Sequence, residues 1–262
     1  MTYRIAAGIE YLGCAFHGWQ RQSHSLSAQE ALETALSQVA DHEITVVCAG
    51  RTDTGVHGIG QVVHFDTHAE RSDYAWLMGT NTAAVDTISV RWVKQVPSDF
   101  HARYSAIARR YRYVILNRTA PSAVFHGRVT QYRRRLDADF MHEAGQTLLG
   151  EHDFSSFQSA GCQSNHARRE LQALSVERKG DWVVLEIQAN AFLYNMVRIL
   201  VGTLVKVGAG DQPVDWPKAV LEAQSREAAG QTMPPNGLYF LGPIYPSHFA
   251  IPQPVDGVDG VW

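Results

Sequence analysis

The chain has 262 residues, of which 45% are hydrophobic and 19% charged, and a formal net charge of −3. These proportions exclude a disordered or low-complexity chain and suit one large globular domain or two of ordinary size. No run approaches the roughly 18 apolar residues of a membrane span, and the start Met1-Thr2-Tyr3-Arg4-Ile5 lacks the apolar stretch of a secretory signal, so the expectation is a cytoplasmic protein with no membrane partner.

Tyr3 to Tyr11 alternates, with Tyr3, Ile5, Ala7, Ile9 and Tyr11 on one face, the period of a half-buried strand. Phe16-His17-Gly18-Trp19-Gln20-Arg21-Gln22 follows. Aromatic, amide and basic groups so mixed can stack on bases and hold phosphates, but a loop that packs its own Phe and Trp is the commoner outcome. Ser27 and Glu30 form a capping box, and Ala28, Ala31, Leu32, Ala35, Leu36 and Val39 recur at helical spacing.

Two apolar runs, Ile44 to Ala49 and Gln61 to Thr67, are expected strands. Between them stands Gly50-Arg51-Thr52-Asp53-Thr54-Gly55-Val56-His57-Gly58, a glycine-punctuated loop. Alone, the stretch reads as a tight turn in which Asp and Thr bond their own backbone and the three glycines take positive φ. A helix from about Ser72 and a strand from Ile88 to Gln95 complete a first α/β unit. Pro97 and Asp99-Phe100-His101-Ala102-Arg103 suggest a boundary.

From 101 to 135 there are nine arginines and no Asp, Glu or Lys, which leaves the rest of the chain at −12. Such segregation suits either a polyanion site or arginines that pair with the acidic remainder, and composition leaves both open. Ala108 to Leu116 alternates, with Tyr111, Tyr113 and Ile115 on one face and Arg110, Arg112 and Val114 on the other. Val129 to Arg134 is a candidate partner strand. Asp137 caps a helix through Leu149, and Leu171 to Ala189 reads as a hairpin turning at Lys179-Gly180-Asp181. The next helix buries Leu193, Met196, Val197, Leu200, Val201 and Leu204, with Arg198 beside that face. Asp215-Trp216-Pro217 opens a short helix, and Leu238 to Leu241 is extended. The residues after 245, rich in prolines, glycines and acids, read as a poorly ordered tail.

The three cysteines, Cys14, Cys48 and Cys162, are scattered without a C-x-x-C spacing, so they read as reduced thiols. Twelve histidines show no metal-ligand spacing, and no nucleotide-binding motif is present, so neither metal nor cofactor is expected. Carboxylates, tyrosines and arginines remain as candidates for chemistry.

Gly50 to His57 resembles the signature loop of the TruA-type tRNA pseudouridine synthases. Further segments match in the same order from about residue 3 to residue 242: Phe16 to Gln22, Phe100 to Arg103 with Ser105-Ala106, Arg109 to Tyr113, Gly150-x-His152-Asp153-Phe154-Ser155-Ser156-Phe157, Gly161 to Ser164, Phe192 to Arg198, and Pro235-x-Gly237-Leu238. The chain departs at Ser27-Ala28-Gln29, where Thr-Val-Gln is usual, and at Asn165-His166-Ala167-Arg168, after which Arg169 falls at the family's arginine.

The resemblance implies an isomerase that breaks uridine's N1–C1′ bond, turns the base and joins C5 to C1′ without cofactor. It implies Asp53 as nucleophile. Arg51 steadies a nucleotide flipped from its stack, Tyr111 lies against the uracil as base or platform, and Arg198 is the cation that favours a charged carboxylate. Substrate contacts are implied for Leu238, Tyr111, Arg21, Gln22, His57, Arg103 and Arg169. It also implies a homodimer acting on the anticodon arm of tRNA, at uridines 38, 39 and 40.

The expected fold is α+β. Two similar halves, 1–104 with the catalytic loop and 105–245, carry mostly antiparallel sheets joined into one extended sheet with helices on one face and the active cleft between the halves; 246–262 is the tail. Two rivals exist. An RNA-binding protein without catalysis has no need of the nucleophile, and a hydrolase using Asp53 lacks a second carboxylate spaced to act as its acid.

Overall fold

In the computed structural model, which describes residues 2–253, the chain divides into two compact units, residues 2–107 with 239–253 and residues 108–238. The sequence reading set the boundary at 104/105 and gave everything up to 245 to the second half. The exchange falls instead at 107/108, and the chain re-enters the first unit at Tyr239. Each unit is a mixed α/β assembly whose strands pair mostly antiparallel.

In the first unit the alternation of Tyr3 to Tyr11 becomes β1 (Tyr3–Tyr11). Helix α1 (Ala28–Ala40) starts where Ser27 Oγ accepts from the Glu30 amide at 3.2 Å. Strand β2 is only Val47–Cys48, because the rest of the 44–49 run packs inward as irregular chain; β3 is longer than its alternating core, at His57–Thr67. Helix α2 (Asp73–Ala83) and β4 (Ile88–Val96) follow. β1 lies between β3 and β4, antiparallel to both. Its odd residues, Ile5, Ala7, Ile9 and Tyr11, share a core with Phe16, Trp19, Leu32, Leu36 and Trp76. Fully burying each such large side chain is worth about 1.5–3 kcal/mol, which fixes the two helices on this face.

The second unit opens with β5 (Ala108–Leu116), to which β6 (Thr130–Gln131) adds a short parallel pairing. Asp137 accepts from the Asp139 and Phe140 amides to cap α3 (Ala138–Gln146). β7 (Gly150–Asp153), β8 (Arg168–Lys179) and β9 (Trp182–Ala189) complete an antiparallel order β5-β9-β8-β7. Helix α4 (Met196–Gly208) is buried nearly all round and not on one face alone, because the segment at Gly230 and Gln231 runs against its Gly202. Helix α5 (Trp216–Ala223) closes the unit.

The last strand, β10 (Leu238–Ile244), pairs parallel to β3 through Tyr239 and Phe240. Beyond it, Tyr245, Phe249 and Ile251 bury with Ala6, Val62, Val96 and Phe100 on the other face of β1. The expectation of a loose tail from 246 is therefore corrected as far as 253, since apolar side chains tie it down; residues 254–262 lie outside the described residues.

On β3 the His64 ring is buried, with its Nδ1 accepting the Ala102 amide at 3.1 Å and its face 4.7 Å from His101. This bond anchors the segment that carries Arg103. Burial, with the Arg4 charge second, pushes the His64 pKa down to about 4 from 6.5. Between those values the unfolded chain binds a proton that the folded chain refuses, so stability is full above pH 6.5 and is lost as pH falls through 4. Chemical denaturation across this window should show a steeper loss for wild type than for His64→Asn, whose Oδ1 can accept the same amide without titrating. Parallel slopes would contradict this role for His64.

Candidate active site

The loop from Gly50 to Gly58 is held from several sides by its own unit. The buried Gln61 amide donates to Gly50 O at 2.6 Å. Thr52 is buried and its hydroxyl shares a 2.8 Å hydrogen bond with Tyr11, while its carbonyl accepts the Trp19 amide at 3.0 Å. A turn closes from the Val56 amide to Asp53 O at 3.1 Å, with Gly55 at φ 82°. Gly50 and Gly58 do not take positive φ; Gly58 is needed because a Cβ there would meet the Tyr11 ring at 2.4 Å. Arg51 is exposed and Asp53 half-buried on the loop these contacts set.

Two other glycines let neighbouring backbone reach the loop. A Cβ on Gly13 would lie 2.0 Å from Val56 O. Gly18 combines φ 89°, a conformation that disfavours any side chain, with a Cβ position 3.0 Å from Thr52 O, a tight contact. Phe16 and Trp19 are buried around these contacts, 3% and 1% exposed. The aromatic pair thus supports the loop from within and is not a stacking platform.

His57 is 1% exposed, accepts the Gly13 amide on Nδ1 at 3.0 Å and stacks on Tyr239. Its ring is engaged inside the unit and is not presented to a ligand. Arg21 donates to the buried Glu33 carboxylate at 2.6 Å, and Gln22 donates to His17 O at 2.7 Å; both residues remain surface-exposed. Arg103 is exposed with its guanidinium 5.7 Å above the Tyr104 ring.

In the second unit Tyr111 is half-buried on β5 and meets Phe192 edge-on at 5.0 Å. Tyr113 points into the interior, where its hydroxyl bonds Thr130 Oγ1 at 2.6 Å and Pro234 O at 2.7 Å. This ties the chain just before the buried Leu238. Arg198 is half-buried near the start of α4, donating from Nε to Met233 O at 2.6 Å and from Nη1 to Asn195 Oδ1 at 2.8 Å. Asn195 stands three residues before Arg198. That helical spacing is the one signal in the sequence that could have singled it out, and an asparagine before a helix is ordinarily a cap.

The alternatives left open for the arginines now separate. Arg110 and Arg112 both bond Glu186, the first at 2.8 Å, and Arg112 is 6% exposed. Burial works to raise the Glu186 carboxyl, but the hydrogen bonds from Arg112 and Arg110 prevail and hold it below its usual range. Arg109 donates to Asn190 O at 2.9 Å, and Arg134 donates to Asp211 at 2.6 Å and to Ala209 O. Arg128, Arg133 and Arg135 are exposed. Arg169, expected at the substrate, is 7% exposed, and its guanidinium bonds Ser164 Oγ and the carbonyls of His166 and Arg168. These bonds tie it to the 164–168 segment, while its buried Nε has no hydrogen-bond partner among the described residues.

Among the described residues no three His, Cys, Asp or Glu side chains gather to hold a metal ion, and no helix is long and apolar enough to cross a membrane.

A family profile described as tRNA pseudouridine synthase matches residues 7–105 and 144–246. A tRNA pseudouridine synthase A from Hydrogenovibrio crunogenus is 55% identical over 251 residues, covering 96% of each chain. Its namesake from Pseudoalteromonas atlantica is 54% identical over 250 residues, 95% of each. Among solved structures, a chain of a Cbf5-Nop10-Gar1 complex aligns with a TM-score of 0.33 at 14% identity, over 77% of this chain and 45% of that one, too distant a likeness to carry an argument.

If backbone contact sets the loop, Gly13→Ala should destabilise the protein by about 2–3 kcal/mol, the cost of overpacking against atoms that cannot yield. Gly18→Ala should cost about 1–2 kcal/mol, mostly backbone strain. Denaturant midpoints at constant m-value measure both, and two neutral substitutions would contradict the packing described.

Proposed function

The chain belongs to the tRNA pseudouridine synthase family, a family of isomerases, and from that premise we propose that it converts uridine to pseudouridine in the anticodon arm of tRNA, at positions 38, 39 and 40. The observation that carries this reading furthest is the loop holding Asp53: a carboxylate on a segment restrained by Tyr11, Trp19 and Gln61 suits a nucleophile that must attack and leave again.

The reaction breaks N1–C1′, turns the detached uracil, and forms C5–C1′; the C5 proton leaves and N1 gains one, so the product is an isomer. Asp53 supplies the transient bond that keeps base or ribose on the enzyme. A uridine within a stem must first leave its stack, at a cost of a few kcal/mol, and exposed Arg51 is the group proposed to steady it. Tyr111 lies against the uracil and takes the C5 proton directly or through water. Because a free phenol is a weak base at neutral pH, it serves equally as a platform. Arg198 is the cation that keeps the attacking carboxylate charged, and Leu238 is an apolar wall for the base. Exposed Arg21, Gln22 and Arg103 are proposed RNA contacts, whereas the burial of His57 and Arg169 favours supporting roles for them. The working form is proposed to be a cytoplasmic homodimer, as in the family.

The test uses tRNA tritiated at uridine C5. Wild type should release label and Asp53→Ala should release none while still binding tRNA. Equal release by both would remove Asp53 from the chemistry, and free uracil as product would identify a hydrolase. Arg198→Ala should lose more activity than Arg198→Lys, because the charge is what supports the carboxylate; full activity in both would make Arg198 a surface residue only.

A further inference from the structure

Asn195 is an asparagine in the place where asparagine usually caps a helix, yet it does not cap. It precedes the first residue of α4 with a left-handed backbone, φ 60° and ψ 8°, and its side chain bonds none of the helix's free amides. Asparagine enters this region more readily than other non-glycine residues, and here its side chain forgoes the cap bond for partners outside the helix backbone. Both ends of its amide are occupied. Oδ1 accepts from Arg198 Nη1 at 2.8 Å, and Nδ2 donates to Ser159 Oγ at 3.0 Å.

Arg198 has a second restraint, the 2.6 Å bond from Nε to Met233 O, and the Met233 amide returns a bond to Arg198 O at 3.2 Å. A guanidinium is planar, so bonds at Nε and Nη1 fix both its position and its plane. Nη2, which makes no hydrogen bond among the described residues, is then left pointing in one direction. Two acceptors, Met233 O and Asn195 Oδ1, hold it, and the second belongs to a side chain whose other end is moored to Ser159.

We infer that Asn195 is a positioning residue for the isomerisation: it aims the free edge of the Arg198 guanidinium and, through Ser159, ties that aim to the 158–168 loop. The inference rests on the catalytic role proposed above for Arg198. It assigns Asn195 no contact with substrate.

Asn195→Gly separates the side chain from the backbone, because glycine takes the left-handed conformation without strain and removes both amide bonds. The thermal midpoint should fall modestly, because relief of the left-handed backbone offsets only part of the two lost bonds. The single-turnover rate on anticodon-arm RNA should fall about 10- to 100-fold, the range expected when a catalytic group is misplaced, with KM and RNA affinity within about threefold of wild type. In an Arg198→Lys background, which has already lost Nε and Nη1, Asn195→Gly should add little, and this non-additivity marks action through Arg198. A fully active Asn195→Gly enzyme, or a loss that multiplies independently with Arg198→Lys, overturns the inference. So does a defect confined to KM. Arg198→Ala assayed alongside tells the two readings apart: if it is inactive while Asn195→Gly is normal, only the role of Asn195 falls; if it is fully active, the role of Arg198 falls and takes this one with it.

Discussion

Everything assigned to Asp53 depends on a backbone-to-backbone contact. The chain at Gly13 comes so close to Val56 that no side chain fits between, Gly18 lies tightly against Thr52, and the Tyr11 hydroxyl and Trp19 amide engage the Thr52 hydroxyl and carbonyl. The carboxylate of the next residue, Asp53, inherits this restraint. Restraint matters because a catalytic group held in near-attack geometry has paid its ordering entropy during folding and owes little of it during reaction. The buried Phe16, Trp19 and Tyr11 supply that stability, so the aromatic cluster holds the loop through packing.

A similar division runs through the basic residues. A composition of nine arginines within 35 residues invites a single explanation, and the structure provides two. Arg110, Arg112, Arg118 and Arg134 meet carboxylates of their own unit, and Arg109 meets a backbone carbonyl. Arg103, Arg128, Arg133 and Arg135 stay at the surface, where a polyanion's field can reach them. Arg112 and Glu186 illustrate why the inward group is structural: a desolvated guanidinium is costly without an acid at hydrogen-bonding distance.

Regular elements were legible because their periodicities are local. The alternation of Tyr3 to Tyr11 and of Ala108 to Leu116, the Ser27 and Asp137 caps, and the turn at Lys179 to Asp181 all became the elements they suggest. What was illegible depends on partners distant in sequence. Nothing in Pro246 to Ile251 announces that Phe249 and Ile251 cover a face of β1, or that the strand from Tyr239 rejoins the first unit. Likewise, His57 and Arg169 carry residue types suited to binding, and only burial assigns them to internal bonds. Asp53 could be singled out from the ordered motifs, whereas the groups that hold its loop, Thr52 bonded to Tyr11 above all, belong to contacts 41 residues apart in sequence.

The central claim is that this loop presents one carboxylate at one reach. The single-turnover rate of Asp53→Glu on anticodon-arm RNA tests it most directly, because the variant keeps the charge and moves it by one methylene on an unchanged loop. The account predicts RNA binding like wild type and a rate lowered by at least about 100-fold, the scale of a displacement near 1 Å. A glutamate enzyme turning over at the wild-type rate would show that the loop's rigidity does not govern the reaction.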